Sequence, residues 1–250
     1  MTWHKAIGFL STLALFSPVF VILAFRLINY KKYFPIFFYC FFSFIYNLLS
    51  EDYISLPETI QRTFGIVNNL LDAPLMLTFF MFLYTSPEQT KKLKLLLGVF
   101  IGFEFVVLAF YGLSIKTITI VIGPGLLMVF GYALYFFVKN IKRCFSQNKI
   151  LGKAMIASAI CFAYGCFFLI YIMHYVLALP DVNDIFMIYF IASIIFCSLL
   201  TAGLVLESKR QRKLEELLIT RKELLSFFAD EKKLVISKEP AGQWKLNETI

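Results

Sequence analysis

The chain has 250 residues, of which 60% are apolar, 18% aromatic and 16% charged. A soluble domain carries roughly 45–50% apolar and about 25% charged residues, so this composition excludes an ordinary water-soluble domain. The formal net charge is +8, but the basic residues cluster beside long apolar runs, which speaks for lipid headgroups and against nucleic acid.

About 20 apolar residues in helix cross roughly 30 Å of hydrocarbon. Taken in order, seven runs meet or approach that length: 6–28, 33–49, 64–84, 93–113, 117–138, 154–179 and 185–206. The first is not expected to be a cleaved leader. Only Lys5 precedes its apolar run, no small-residue cleavage site follows, and the basic cluster comes after it. Ser55-Leu56-Pro57-Glu58 and Thr85-Ser86-Pro87-Glu88 carry cap, proline and acid signals ahead of the third and fourth runs. The third helix is therefore expected to begin before its apolar stretch. Asp181 or Asn183 suits a cap for the seventh. Gly123-Pro124-Gly125 inside the fifth run predicts a kink or a loosened turn. No internal repeat is evident.

Charge predicts the orientation. Arg26, Lys31 and Lys32 follow the first run, and Lys91, Lys92 and Lys94 follow the third. Lys139, Lys142, Arg143, Lys149 and Lys153 follow the fifth, and Lys209, Arg210, Arg212 and Lys213 follow the seventh. The opposite side carries only Lys5, Arg62 and Lys116, together with Glu51, Asp52, Glu58, Asp181 and Asp184. Lys and Arg stay on the cytoplasmic side, so the N-terminus is expected outside and the C-terminus in the cytoplasm. The fold class predicted is all-α: a seven-helix membrane bundle over 1–206, a charged cytoplasmic helix over 207–236 and a flexible tail over 237–250.

In that cytoplasmic helix, Leu214, Leu217, Arg221, Leu224 and Phe228 follow a 3-4-3-4 rhythm, with Arg221 interrupting the apolar seam. Three readings fit. The helix continues the seventh span and pairs with a second copy as a short coiled coil; it lies on the inner leaflet; or it is a solvated tail. The partners expected are the bilayer and either a second copy or a separate cytoplasmic protein.

Polar groups at bilayer depth point to function, because they are costly there. Asp72 and Glu104 both fall near the middle of their runs. Asn68, Asn69 and Asp72 share one face of the third helix through i, i+3 and i+4 spacing. Tyr164, Tyr171 and Tyr175 form a stripe on the sixth, with His174 beside them. Tyr46 and Asn47 lie on the second, and Tyr189 on the seventh. Asp72, Asn68, Asn69, Glu104, Tyr171, His174, Tyr175 and Tyr189 are therefore the candidate lining of a polar cavity open to the outside. The alternative is helix packing: Asn side chains join helices, and tyrosines anchor them at the headgroups.

No metal or cofactor is expected. Cys40, Cys144, Cys161, Cys166 and Cys197 form no CxxC pair, and only His4 and His174 are present, too few for a three-histidine zinc site. The last run has no lysine for a retinal Schiff base. No Gly-x-Ser-x-Gly motif marks a serine nucleophile. The third run ends Leu83-Tyr84-Thr85-Ser86, without the Asp-Arg-Tyr type signature of eukaryotic G-protein-coupled receptors.

The layout of seven spans followed by a heptad-like charged helix resembles the seven-span sensor regions found ahead of bacterial histidine kinases. The resemblance implies outward sensing and transmission through the exit helix. A kinase core does not fit in the about 44 residues after the last run, so the signal is expected to pass to a separate partner. Two other functions remain open: a small-solute or proton-coupled transporter using Asp72 and Glu104, and a lipid-acting enzyme with Asp72, Glu104 and His174 as acid–base groups. Short loops and a composition rich in Phe, Ile and Lys suggest a bacterial inner membrane.

Overall fold

A computed structural model describes residues 3–51, 53–83, 87–147, 151–177 and 182–238; residues 3–5, 143–147, 182–186 and 227–238 are described by backbone alone. Helix is the only regular structure among them, as hydrocarbon demands of a chain that must satisfy its backbone groups internally. The elements are α1 (Trp3–Ala24), two 3-10 turns (Leu27–Asn29 and Lys31–Tyr33), α2 (Phe34–Ser50), α3 (Glu58–Leu83), α4 (Pro87–Tyr111), α5 (Ile115–Gln147), α6 (Leu151–Tyr171) and α7 (Val182–Lys238). A π-helical turn, Ile172–Val176, extends α6. Seven helices among the described residues are long and apolar enough to cross a membrane, so the chain is an all-α, multi-pass membrane protein.

Proline and glycine set several helix ends. Pro35 stands in the first turn of α2 and Pro87 opens α4, positions where a missing N–H costs nothing. α3 begins at Glu58, ahead of its apolar run, with the Pro57 carbonyl accepting from the Ile60 and Gln61 amides. α4 stops at Gly112, whose φ of +62° is the left-handed conformation that suits glycine. Ser114 then caps α5, its Oγ accepting from the Thr117 amide at 3.3 Å. The proposed caps at Thr85, Ser86 and Asp181 lie outside the described residues, as do Asp52 and Lys149.

Pro18, Pro74 and Pro124 lie inside helices, and each removes a donor from the ladder. α5 nevertheless runs as one helix through Pro124. Its neighbouring glycines serve packing: a Cβ at Gly123 would meet the Tyr171 hydroxyl at 2.7 Å, and one at Gly125 would meet Ala73 at 3.0 Å and Phe100 at 3.2 Å.

α3 is the hub of the bundle, packing on α2, α4 and α5, while α1 packs on α2 and α6 on α5. Hydrophobic burial gives little drive between helices already in lipid, so close fit and polar contacts hold them. Phe79, Phe80, Phe100, Tyr164 and Phe196 are fully buried and fill the centre. The membrane part of α7 meets three partners. Thr201 reaches Ser17 of α1 at 2.8 Å, Phe196 packs edge-on to Tyr39 of α2, and Gly203 presses against α6. A Cβ at Gly203 would meet the Ile156 amide nitrogen at 3.0 Å, and one at Gly152 would meet the Glu207 amide nitrogen at 2.8 Å. These are backbone-to-backbone approaches that only small residues permit.

The chain divides into two compact units, Met1–Glu207 and Ser208–Ile250. Glu207 belongs with the bundle. The sequence reading placed it at the head of a charged segment, but it is 1% exposed, and Lys32 lies 3.7 Å from its carboxylate. In the second unit Leu214, Leu217, Leu218, Ile219, Leu224 and Leu225 are exposed. The Phe228 side chain and residues 239–250 lie outside the description.

Candidate functional site

Asp72 stands near the middle of α3 and faces α6. There the Tyr164 hydroxyl donates a hydrogen bond to the Asp72 Oδ1. Tyr164 is fully buried, so this contact is a fixed part of the interior. Tyr39 of α2 is buried as well and interacts electrostatically with Tyr164. A phenol has one proton, and Tyr164 commits its own to Asp72.

Two more groups interact electrostatically with Asp72. Tyr189 of α7 does so, and it is bonded to Ser193 one turn further along. Its ring also packs on Phe167 of α6, with centroids 5.3 Å apart. Glu104 of α4 is the other. Glu104 is 8% exposed, and its Oε1 is buried with no hydrogen-bond partner among the described residues. Electrostatic interactions thus link Asp72 of α3 to side chains on α2, α4, α6 and α7. The stretches 63–83, 95–115, 117–138, 154–177 and 187–206 contain no Lys or Arg. No basic side chain therefore arises beside these carboxylates from α3 to α7.

A second group of rings lies where α6 ends. Tyr171 donates to the Thr119 carbonyl of α5 at 3.1 Å, and Tyr175 packs on Tyr171 with centroids 5.3 Å apart. The His174 ring stands edge-on to Tyr175 at 4.7 Å, both in the π-helical turn. Tyr46 interacts with both Tyr175 and Tyr189, linking this group to the Asp72 cluster. Gly65 lets it lie there: a Cβ at that position would meet the Tyr46 ring at 2.8 Å.

The expected cavity lining therefore separates. Asp72, Glu104 and Tyr189 come together, while Tyr171, His174 and Tyr175 form the neighbouring group. Asn69 spends its amide on its own helix, donating to the Gly65 carbonyl at 2.8 Å, and Asn68 is half-buried. Tyr39 was not anticipated. It sits in the run Phe37-Phe38-Tyr39-Cys40-Phe41, where one phenol among rings gives no periodic signal. Tyr164 was legible only as part of a stripe.

Among the described residues, no three His, Cys, Asp or Glu side chains gather as a metal site would require. Of the thiols, Cys40 and Cys197 are buried and free, and Cys161 and Cys166 are half-buried and free. The Cys144 side chain lies outside the description. Chemically, the cluster offers two carboxyl groups and the Tyr164 phenol, groups able to accept and donate protons. Comparison with known proteins leaves the reading to this geometry, since no protein-family model, curated protein or solved structure matches the chain.

Proposed function

We propose that this protein is a membrane sensor or interaction module, with its N-terminus outside and its C-terminus in the cytoplasm of a bacterial cell. A stimulus at the outer face biases the Asp72 cluster, and α7 carries the change to a cytoplasmic partner. The partner is a second copy or a separate protein, met by the Leu214, Leu217, Arg221, Leu224 and Phe228 seam.

The observation that carries this reading is the continuity of α7. One helix runs from Val182 to Lys238 and includes Tyr189, which interacts with Asp72, and Glu207, which is held by Lys32. In this reading the signal runs along α7 from Tyr189 to the residues beyond Glu207. Leu214, Leu217, Leu218, Leu224 and Leu225 are exposed there.

The test is a truncation after Glu207, compared in cells with loss of the whole gene. The truncated protein is expected to stay helical and monodisperse when purified, yet to reproduce the phenotype of the null strain. Full complementation by the truncated protein would overturn the reading.

A second reading, a proton-coupled or small-solute transporter, draws on the electrostatic interaction between Asp72 and Glu104, two carboxyl groups within membrane-spanning helices. Proteoliposome uptake that is lost in both Asp72→Asn and Glu104→Gln would favour it over the sensor.

A further inference from the structure

Glu104 is a carboxyl group enclosed by protein and not by lipid. It lies seven residues before the end of α4 at Tyr111, about 10 Å of helix rise from that end. At 8% exposure it is turned into the bundle, and its Oε1 has no hydrogen-bond partner among the described residues. An ionised carboxylate in that position would hold its Oε1 out of reach of any donor, which costs free energy.

The groups facing it make the charge harder to keep. α4 packs on α3 and α5. α3 supplies Asp72, whose carboxylate interacts with Glu104. α5 has no titratable side chain between Lys116 and Tyr132. On α4 itself the nearest titratable residues are Lys94 and Tyr111, about 15 Å and 10 Å away along the axis. Like charges at close range in a medium of low dielectric repel strongly, and nothing cationic offsets them.

The two carboxyl groups are not equivalent. Asp72 accepts a hydrogen bond from the Tyr164 hydroxyl, and a donated hydrogen bond favours the ionised acceptor. Glu104 receives none. We propose that Glu104 is a proton-binding site of the bundle: it holds one exchangeable proton, while Asp72 remains the carboxylate that accepts from Tyr164. The proton comes from the aqueous phase and returns to it. On release, the pair carries two negative charges with no cation between them, which pushes α3 and α4 apart at this level. The assignment does not rest on the sensor reading and holds equally if α7 transmits nothing.

Infrared difference spectroscopy of the full-length protein in lipid vesicles tests it. At neutral pH the wild type is expected to show the carbonyl stretch of a protonated carboxylic acid. The band should shift on transfer to deuterium oxide and disappear reversibly as pH rises. Glu104→Gln should remove it, and Asp72→Asn should keep it. Absence of any such band in the wild type at neutral pH would overturn the proposal, and this measurement needs no variant to fold. Persistence of the band in Glu104→Gln would also overturn it. So would loss of the band on adding sodium at constant pH, since the site would then be a cation site.

Discussion

Lys32, in the turn between α1 and α2, reaches across to Glu207 of α7, its Nζ 3.7 Å from the carboxylate, while the Tyr33 ring lies 4.9 Å beneath the ammonium. The Glu207 side chain is wholly enclosed and that of Lys32 is 22% exposed. Removing one member of a buried ion pair is destabilising, because the enclosed carboxylate loses a cation. Lys32→Met should therefore lower the thermal midpoint of the purified protein sharply. The double variant Lys32→Met with Glu207→Leu should recover most of the loss, because no buried charge is left. Thermal unfolding followed by size-exclusion chromatography checks both.

The bond from Tyr164 to Asp72 joins helices whose residues are 92 positions apart. A hydrogen bond to a charged group contributes about 1.5–3 kcal/mol. Tyr164→Phe keeps the ring and removes only the donor, so it should destabilise by that amount. Asp72→Asn keeps an acceptor and should cost less. Denaturation of the two variants in the same detergent gives the order directly.

Glycines in the bundle should divide sharply on substitution by alanine. At Gly152 and Gly203 the new methyl would press on backbone atoms of the facing helix, at 2.8 Å and 3.0 Å. Those variants should fold poorly or unfold early. At Gly98, Gly102 and Gly131 a Cβ meets nothing within 4 Å. There alanine should be neutral or stabilising by up to about 1 kcal/mol, the difference in helix propensity. Ranking five single variants by thermal midpoint tests the close approach of α6 and α7.

Reporter fusions test the orientation. A periplasm-active phosphatase fused after Leu56 or Lys116 should be active, and one fused after Lys32, Lys92 or Lys153 inactive. A fluorescent protein that folds only in the cytoplasm should fluoresce at the C-terminus.

The spans were readable because a long apolar run in a bilayer permits one conformation, and because proline and glycine mark where it stops. Asp72 and Glu104 were readable for the opposite reason: a carboxylate stands out against hydrocarbon. What escaped was whatever depends on a partner from another helix. Glu207 looked solvated because Lys209 and Arg210 follow it, and only the fold brings Lys32 to it. Gly123 and Gly125 looked like weak points, because sequence carries the missing side chain but not the Tyr171 and Phe100 rings that fill the space. Asn69 looked available and is not, since its own helix supplies an acceptor one turn back.

Ser17 gives one last consequence. Pro18 leaves the Ala14 carbonyl without its amide donor, and the Ser17 hydroxyl takes that place at 2.8 Å. With its proton spent, Ser17 can only accept from Thr201, 2.8 Å away on α7. α1 thus keeps an acceptor waiting for a helix 184 residues further along, and the join between α1 and α7 closes only after the helices between them have been translated. Lys32 and Glu207 fasten α7 to the turn that follows α1 as well.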